Sequence, residues 1–239
     1  MSTKTNKSKT RSRSPEKKAA QFERILKAGK DLFLKKGRDG FSLRGLAKIL
    51  GMNQNNLYNY VESKRELWIA IRSKFFKQYR EENIQIIKNH KSSTTDLLMK
   101  VFENFLEFAE KDYHAFSMMH LIEAPPSDKM GSFEKEYRKF NFLRGTANVI
   151  QRGINDEEIK EPNAGLLSFY TYSLILGAAI IERHMRIIEQ SDNFNGNLAS
   201  EIIQFSQSDF NRKDFRNFVL NELKRSLKSS SSTQNQLYD

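Results

Sequence analysis

The sequence predicts an all-α fold, and three observations carry that prediction. Apolar residues recur at steps of three and four along most of the chain. Helix-opening signals stand ahead of these runs: Ser14-Pro15-Glu16, Ser42, Asn53 and the Ser63-Lys64-Arg65-Glu66 capping box. Only 11 Gly and 4 Pro occur in 239 residues, which leaves little turn chemistry for a many-stranded fold, and strand alternation is absent. The 38% hydrophobic content is too high for a fully disordered chain. The absence of cysteine excludes a disulfide scaffold, cysteine-ligated zinc and a cysteine nucleophile. Forty Lys+Arg against 29 Asp+Glu, a net charge of +11, point to a polyanionic partner, either nucleic acid or an anionic membrane surface.

Residues 1–14 have no apolar side chain after Met1, and up to Lys18 seven basic residues face Glu16 alone. This basic arm is expected to be disordered, as is 229–239. It reads equally as a solubilising tail or as a phosphate-seeking arm. No apolar run follows the basic start, so it does not read as a signal peptide.

The first helix is expected from Pro15, with Phe22, Ile25, Leu26, Leu32 and Phe33 inward and Gly37 as its cap. Short helices follow at Leu43–Leu50, stopped by Gly51, and at Gln54–Tyr60. The capping box opens a long helix to about Asn89. Further helices are expected at about 94–111, Tyr113–Glu123, Phe133–Arg152, Pro162–Glu189, Leu198–Gln207 and Arg212–Leu227. Pro162 to Ile181 carries no charge, but Asn163, Ser168, Thr171 and Ser173 dilute it. It reads as a core or subunit-interface helix rather than a membrane span.

Residues 42–60 carry the functional signal. Leu43, Leu46, Ala47 and Leu50 form one inner face, Gly51 permits a tight turn, and Met52 and Leu57 anchor the second helix, in the arrangement of a helix-turn-helix. The outward side then shows Gln54, Asn55, Asn56, Tyr58 and Asn59, polar and uncharged. Asn and Gln can pair bidentately with adenine in a major groove. Tyr58 and Tyr60 offer hydroxyls to phosphates, and the Arg44 guanidinium and the Ser42 hydroxyl are placed to touch phosphates of the other strand. Lys64, in the first turn of the next helix, adds a cation to free backbone N–H groups. The plain alternative is an Asn-rich surface in an Asn-rich protein.

On these residues the chain resembles the TetR family of transcriptional regulators. The resemblance covers 22–72 and runs through ILKAGKDLFLKKG and FSLRGLAKILGMNQNNLYNYVESKRELW, including Phe33, Gly37, Ser42, Leu46-Ala47, Gly51, Leu57-Tyr58, Tyr60, Ser63-Lys64 and Leu67. Asn55 stands where the family often has Gly or Ala, and Val61 where it usually has Phe. The resemblance implies an all-α homodimer of about nine helices. Residues 15–66 would form a three-helix helix-turn-helix DNA-binding domain, and 67–228 a ligand-binding and dimerisation bundle. The uncharged 165–181 face and the Phe215, Phe218, Val219, Leu223, Leu227 face would form the dimer interface.

The function then expected is sequence-specific regulation, as a repressor on a pseudo-palindromic operator released by a small, hydrophobic effector. The setting is the prokaryotic cytosol. The alternative is an architectural or ligand-independent DNA binder whose C-terminal bundle only dimerises. Inward candidates for a ligand pocket are Phe102, Phe105, Phe116, Met119, Phe133, Tyr137, Phe169, Tyr172 and Leu176, with ordinary core packing the favoured reading of any one of them, and with Arg144 or Arg183 for an anionic end. His120 and Glu123 have a spacing metals use, but a lone pair is no site. No Ser-His-Asp pattern, phosphate loop or carboxylate pair suggests an enzyme, and no cofactor is expected.

Overall fold

A computed structural model of the chain describes residues 14–137, 143–190 and 210–228. The expected disordered termini (1–13 and 229–239) and the expected helix at 198–207 lie outside them. The described residues form ten α-helices and no strand: α1 Pro15–Gly40, α2 Leu43–Leu50, α3 Gln54–Leu57, α4 Lys64–Asn89, α5 Thr94–Lys111, α6 Tyr113–His120, α7 Ser132–Tyr137, α8 Arg144–Asn155, α9 Ala164–Glu189 and α10 Arg212–Lys228.

Two compact units share these helices. One holds the described residues up to Ser73 together with Glu123–Tyr137; the other holds Lys74–Ile122 and those from Leu143 on. The sequence places the expected border after residue 66. The compact unit itself runs on to Ser73, with Leu67, Trp68, Ile69, Ala70 and Ile71 all buried.

The local signals act much as their chemistry dictates. Ser42 Oγ accepts the Gly45 N–H at 3.0 Å and opens α2. Gly51 closes it in the left-handed region (φ 63°, ψ 34°), where a Cβ would be strained, while the Met52 N–H returns to the Ala47 carbonyl. Asn53 Oδ1 accepts the Asn55 N–H at 2.9 Å to open α3. Three details differ from expectation. Gly37 (φ 67°) kinks α1, and the helical run resumes to Gly40. The helix α3 ends at Leu57, not Tyr60, as the Tyr60 N–H bonds three residues back to Leu57. The capping box is one-sided: Ser63 Oγ accepts the Glu66 N–H, but the Glu66 carboxylate accepts from the Glu62 N–H instead of from Ser63.

In the N-terminal unit Trp68 is fully buried and stands edge-on to Phe33, with centroids 4.5 Å apart, and to Phe41 at 6.2 Å. Gly29 lets α1 and α4 approach, since a Cβ there would sit 2.9 Å from Ile71 Cδ1. The segment 123–137 is tied to the start of α4 by charge. Arg65 Nε donates to both oxygens of buried Glu134 (2.9 and 3.0 Å), and Arg65 Nη1 donates to the Pro125 carbonyl. Buried Glu66 also accepts from the Phe133 N–H and the Ser132 hydroxyl. Of the helix expected over 133–152, the described residues form α7 in this unit and α8 in the other, and 138–142 lie outside them.

In the C-terminal unit α9 packs against α5, α8 and α10. Asn163, not Pro162, opens it, accepting the Leu166 N–H at 3.0 Å. Its buried hydroxyls are satisfied within the helix, Ser168 on the Ala164 carbonyl and Thr171 on that of Leu167. It is the one helix among the described residues long and apolar enough to cross a bilayer, by length and composition only. The helix α6 stops at His120 rather than Glu123. Arg216 of α10 pairs with Glu182 and Glu110, and Arg212 bonds Glu110 as well. Lys224 pairs with Asp96 at 2.8 Å.

The Arg212 and Arg216 guanidinia hold the Glu110 carboxyl below its ordinary range against the opposing pull of burial. Bonds from Lys224, Ser93 and Ser92 hold Asp96 well below its own. Depressed carboxyl pKa values contribute stability that is present above the unfolded value and lost as pH falls through the folded one. Helicity measured by circular dichroism should therefore be flat from neutral pH to about pH 5 and decline below about pH 4. Glu110→Gln should lower neutral-pH stability and leave less to lose in acid. Gly131→Ala would place a methyl within 2 Å of the Glu66 carboxyl. Urea unfolding should show a loss of about 2 kcal/mol or more.

Candidate nucleic-acid interface and ligand cavity

All nine residues proposed from the sequence to face DNA lie in the N-terminal unit. Arg44, Asn55, Asn56, Tyr58 and Asn59 are exposed, and Gln54 and Tyr60 are half-buried. Ser42 is exposed, but its hydroxyl already accepts from Gly45 as the α2 cap. Gln54 Nε2 donates to the Tyr58 hydroxyl at 3.5 Å, so these two side chains order one another. The Tyr60 ring lies parallel to Phe22 at 6.2 Å, and Phe22 stacks in turn on Phe133 at 5.0 Å. Between residues 42 and 61 there is no carboxylate, while Arg44 and Lys48 supply positive charge. Short α2 and α3 with their flanking residues thus present amides, hydroxyls and cations, with no carboxylate from 42 to 61 to repel a phosphate.

Lys64 is placed in a way its sequence neighbours did not signal. Its Nζ donates to the Arg38 carbonyl at 3.0 Å and lies 5.8 Å from the Phe41 ring centroid. The carbonyl belongs to the last turn of α1, the negative end of that helix. No spacing rule reports a bond spanning 26 residues, so sequence reasoning missed it. Arg65, Glu66 and Glu134 were missed for the same reason.

The C-terminal unit contains a cavity of about 460 Å³, in the range of small-molecule sites. Phe76, Ile84 and Ile87 of α4, Leu98, Val101, Phe102 and Phe105 of α5, and Ile175 of α9 form apolar walls. Tyr79, Asn83, Thr171 and Tyr172 add polar atoms. Burial pushes the Tyr79 phenol far above its usual range, so it is neutral at any working pH. Arg80, Arg144 and Asn148 line the cavity and are themselves exposed.

Of the nine expected pocket residues, Phe102, Phe105 and Tyr172 line this cavity. Phe116 and Met119 are fully buried and do not; Phe116 packs edge-on to Phe105 at 5.3 Å. Phe133 and Tyr137 belong to the other unit, Tyr137 lying 5.7 Å from the Arg72 guanidinium. Leu176 is half-buried and faces elsewhere, and Phe169 is 67% exposed. The candidates on α5 and α9 reach the cavity in part, those on α6 and α7 do not, and the walls from α4 and α8 had no candidate among the nine. Of the two candidate arginines, Arg144 lines the cavity, whereas Arg183 lies over the Tyr113 ring at 5.1 Å. His120 Nδ1 is bonded to the Tyr172 hydroxyl at 3.1 Å. No group of three metal-ligating side chains occurs among the described residues.

Residues 25–71 match the family model described as bacterial regulatory proteins, tetR family. The fold is similar to FadR from Bacillus subtilis in complex with stearoyl-CoA: 17% identity, 86% of this chain and 98% of that one covered, TM-score 0.57. It is similar to a transcriptional regulator of the TetR/AcrR family from Thermobifida fusca: 18% identity, 84% and 97% covered, TM-score 0.52. It is also similar to AibR in complex with isovaleryl coenzyme A and operator DNA: 13% identity, 84% and 97% covered, TM-score 0.54. Comparison with curated protein sequences gives no match.

Lys64→Met keeps the aliphatic stem and removes the bond to Arg38. It should cost about 1 kcal/mol of stability in urea unfolding, with native helicity retained.

Proposed function

We propose that the chain is a member of the tetR family of bacterial regulatory proteins, whose model matches residues 25–71, and that it is a sequence-specific transcriptional repressor. It acts as a homodimer in the prokaryotic cytosol and leaves a pseudo-palindromic operator when a small apolar ligand enters the C-terminal cavity. The observation that carries this reading is the α2–Gly51–α3 corner, whose exposed side is rich in amides and free of carboxylates from 42 to 61. An α-helix fits the major groove, and amides there read base edges while hydroxyls and cations hold phosphates. Because α3 is a single turn, readout falls to few side chains: Gln54, Asn55 and Asn56 on it, and Tyr58 and Asn59 just after.

Dimerisation is supported by an unpartnered apolar stripe. Leu166, Phe169, Tyr170 and Leu174 of α9 are exposed at helical spacing, and Phe218 of α10 is 63% exposed. Leu223 and Leu227, expected from the sequence on the same interface, are instead fully buried within their own unit. A stripe of this kind costs solubility in a monomer and is covered in a two-fold pair. Such a pair sets two reading helices about 34–36 Å apart, one turn of DNA, so the operator mirrors itself. A ligand shifts DNA affinity only by its preference for the conformation that binds DNA poorly.

Footprinting on genomic fragments at two salt concentrations tests the reading. Discrete, mirrored protected sites are expected; uniform coating that collapses with salt on all sequences would make the protein architectural instead. Asn56→Ala or Gln54→Ala should change the preferred base at one position by ~1–3 kcal/mol. Tyr58→Phe and Lys64→Ala should weaken binding to every sequence, the latter flattening the salt slope by about one charge. Phe169→Glu should shift sedimentation from dimer to monomer.

A further inference from the structure

The cavity of the C-terminal unit has a sign. Among the described residues that line it there is no Asp or Glu, while Arg80 of α4 and Arg144 of α8 are present. Neither guanidinium has an ion-pair partner among the described residues, although other arginines of the same unit, Arg212 and Arg216, are each paired with carboxylates. The two cations are exposed, so they stand where the cavity meets water, and the deeper wall is aromatic and aliphatic: Phe102, Phe105, Ile175. Apolar inside and uncompensated positive at the edge is the complement of a molecule with a hydrocarbon body and a negative end.

We propose, on the reading of this cavity as the effector site, that the effector is an anionic amphiphile. Its hydrocarbon part lies among Phe102, Phe105 and Ile175, and its carboxylate or phosphate is met by Arg80 and Arg144. The arrangement disfavours cationic ligands twice over. A cation would meet two like charges at the edge, and it would find no carboxylate among the described lining residues to replace its water. A neutral ligand of the same body would bind by its apolar surface alone. The charge contributes selectivity more than raw affinity, because exposed guanidinia remain well hydrated. A preference of about tenfold for anion over neutral isostere is what two such groups supply. One anionic chemistry has two sources, a free long-chain carboxylic acid or its thioester with a phosphate-bearing carrier, and the two differ in how far the negative charge stands from the chain.

The test is direct binding, by calorimetry and by displacement of a fluorescent fatty-acid probe, to the full-length protein without DNA. The series shares one twelve-carbon chain: dodecanoate, dodecanol, dodecylamine and dodecanoyl-coenzyme A. Expected is binding of dodecanoate or its thioester about tenfold tighter than dodecanol, with dodecylamine weakest. The tighter of the two anions identifies the source. In the double variant Arg80→Gln, Arg144→Gln, affinity for dodecanol should be unchanged and the anion's advantage should vanish. Circular dichroism of that variant should match the parent, as both side chains are exposed. Equal binding of alcohol and acid, a preference for the amine, or an anion advantage that survives the double variant would overturn the charge assignment while leaving the cavity a ligand site. If no member binds, and Ile175→Trp, which fills the cavity, changes nothing, both the assignment and the reading it rests on fail.

Discussion

Glu66 is buried at the first turn of α4, and a carboxylate is tolerated there only where donors surround it. The Glu62 N–H, the Phe133 N–H and the Ser132 hydroxyl supply them, and Gly131 leaves the room. One turn of helix thereby serves two tasks. Its acidic and basic side chains, Glu66 and Arg65, hold the segment 123–137, while Leu67, Trp68 and Ile71 fill the core under α1 and α2. The short helices α2 and α3 have too few apolar residues to stand alone. Their position is set by Leu46, Ala47 and Leu57 meeting that core, so the amide-bearing face is aimed by a buried indole and a buried carboxylate it does not touch.

The C-terminal unit solves a different problem, keeping space open inside a helical bundle. Interiors close up to high density unless something holds their walls apart. Here α5, α9 and α10 are tied at one end by Arg212 and Arg216 on Glu110 and Glu182, and at the other by Lys224 on Asp96. Bulky, rigid rings, Phe102, Phe105 and Tyr172, line the space between. The polar groups in the wall are mostly spoken for: Tyr172 by His120, Thr171 by its own helix, Asn83 by Asn104. Arg80 and Arg144 are the conspicuous exceptions among the described residues, and their uncompensated charge gives the cavity its chemical character.

Helix existence was legible because it depends on local signals, and the caps Ser42, Gly51, Asn53 and Ser93 act within a few residues of themselves. The candidate DNA-facing set could be proposed from the sequence because Ser42 to Lys64 are near neighbours in the chain. The cavity was legible only in part. An apolar residue on α5 has the same pattern whether it faces empty space, as Phe102 does, or solid core, as Phe116 does on α6. Periodicity gives the face of a helix, not the surface opposite it. Gly37 illustrates a subtler limit: a positive φ was foreseeable, but whether the chain then stops or kinks and continues depends on the packing of residues 38–41.

By itself, then, the order of residues determined an all-helical chain, the corner at Gly51 and the polar character of its outer side, because these rest on backbone sterics, capping bonds and helical period, all short-range. Tertiary structure alone decided that Lys64 reaches Arg38, that Glu134 answers Arg65 across 69 residues, that Leu223 and Leu227 are consumed by their own unit, and that two arginines without ion-pair partners among the described residues share one cavity. Those are pairings between distant segments, and their partners are chosen by packing, which no local pattern encodes.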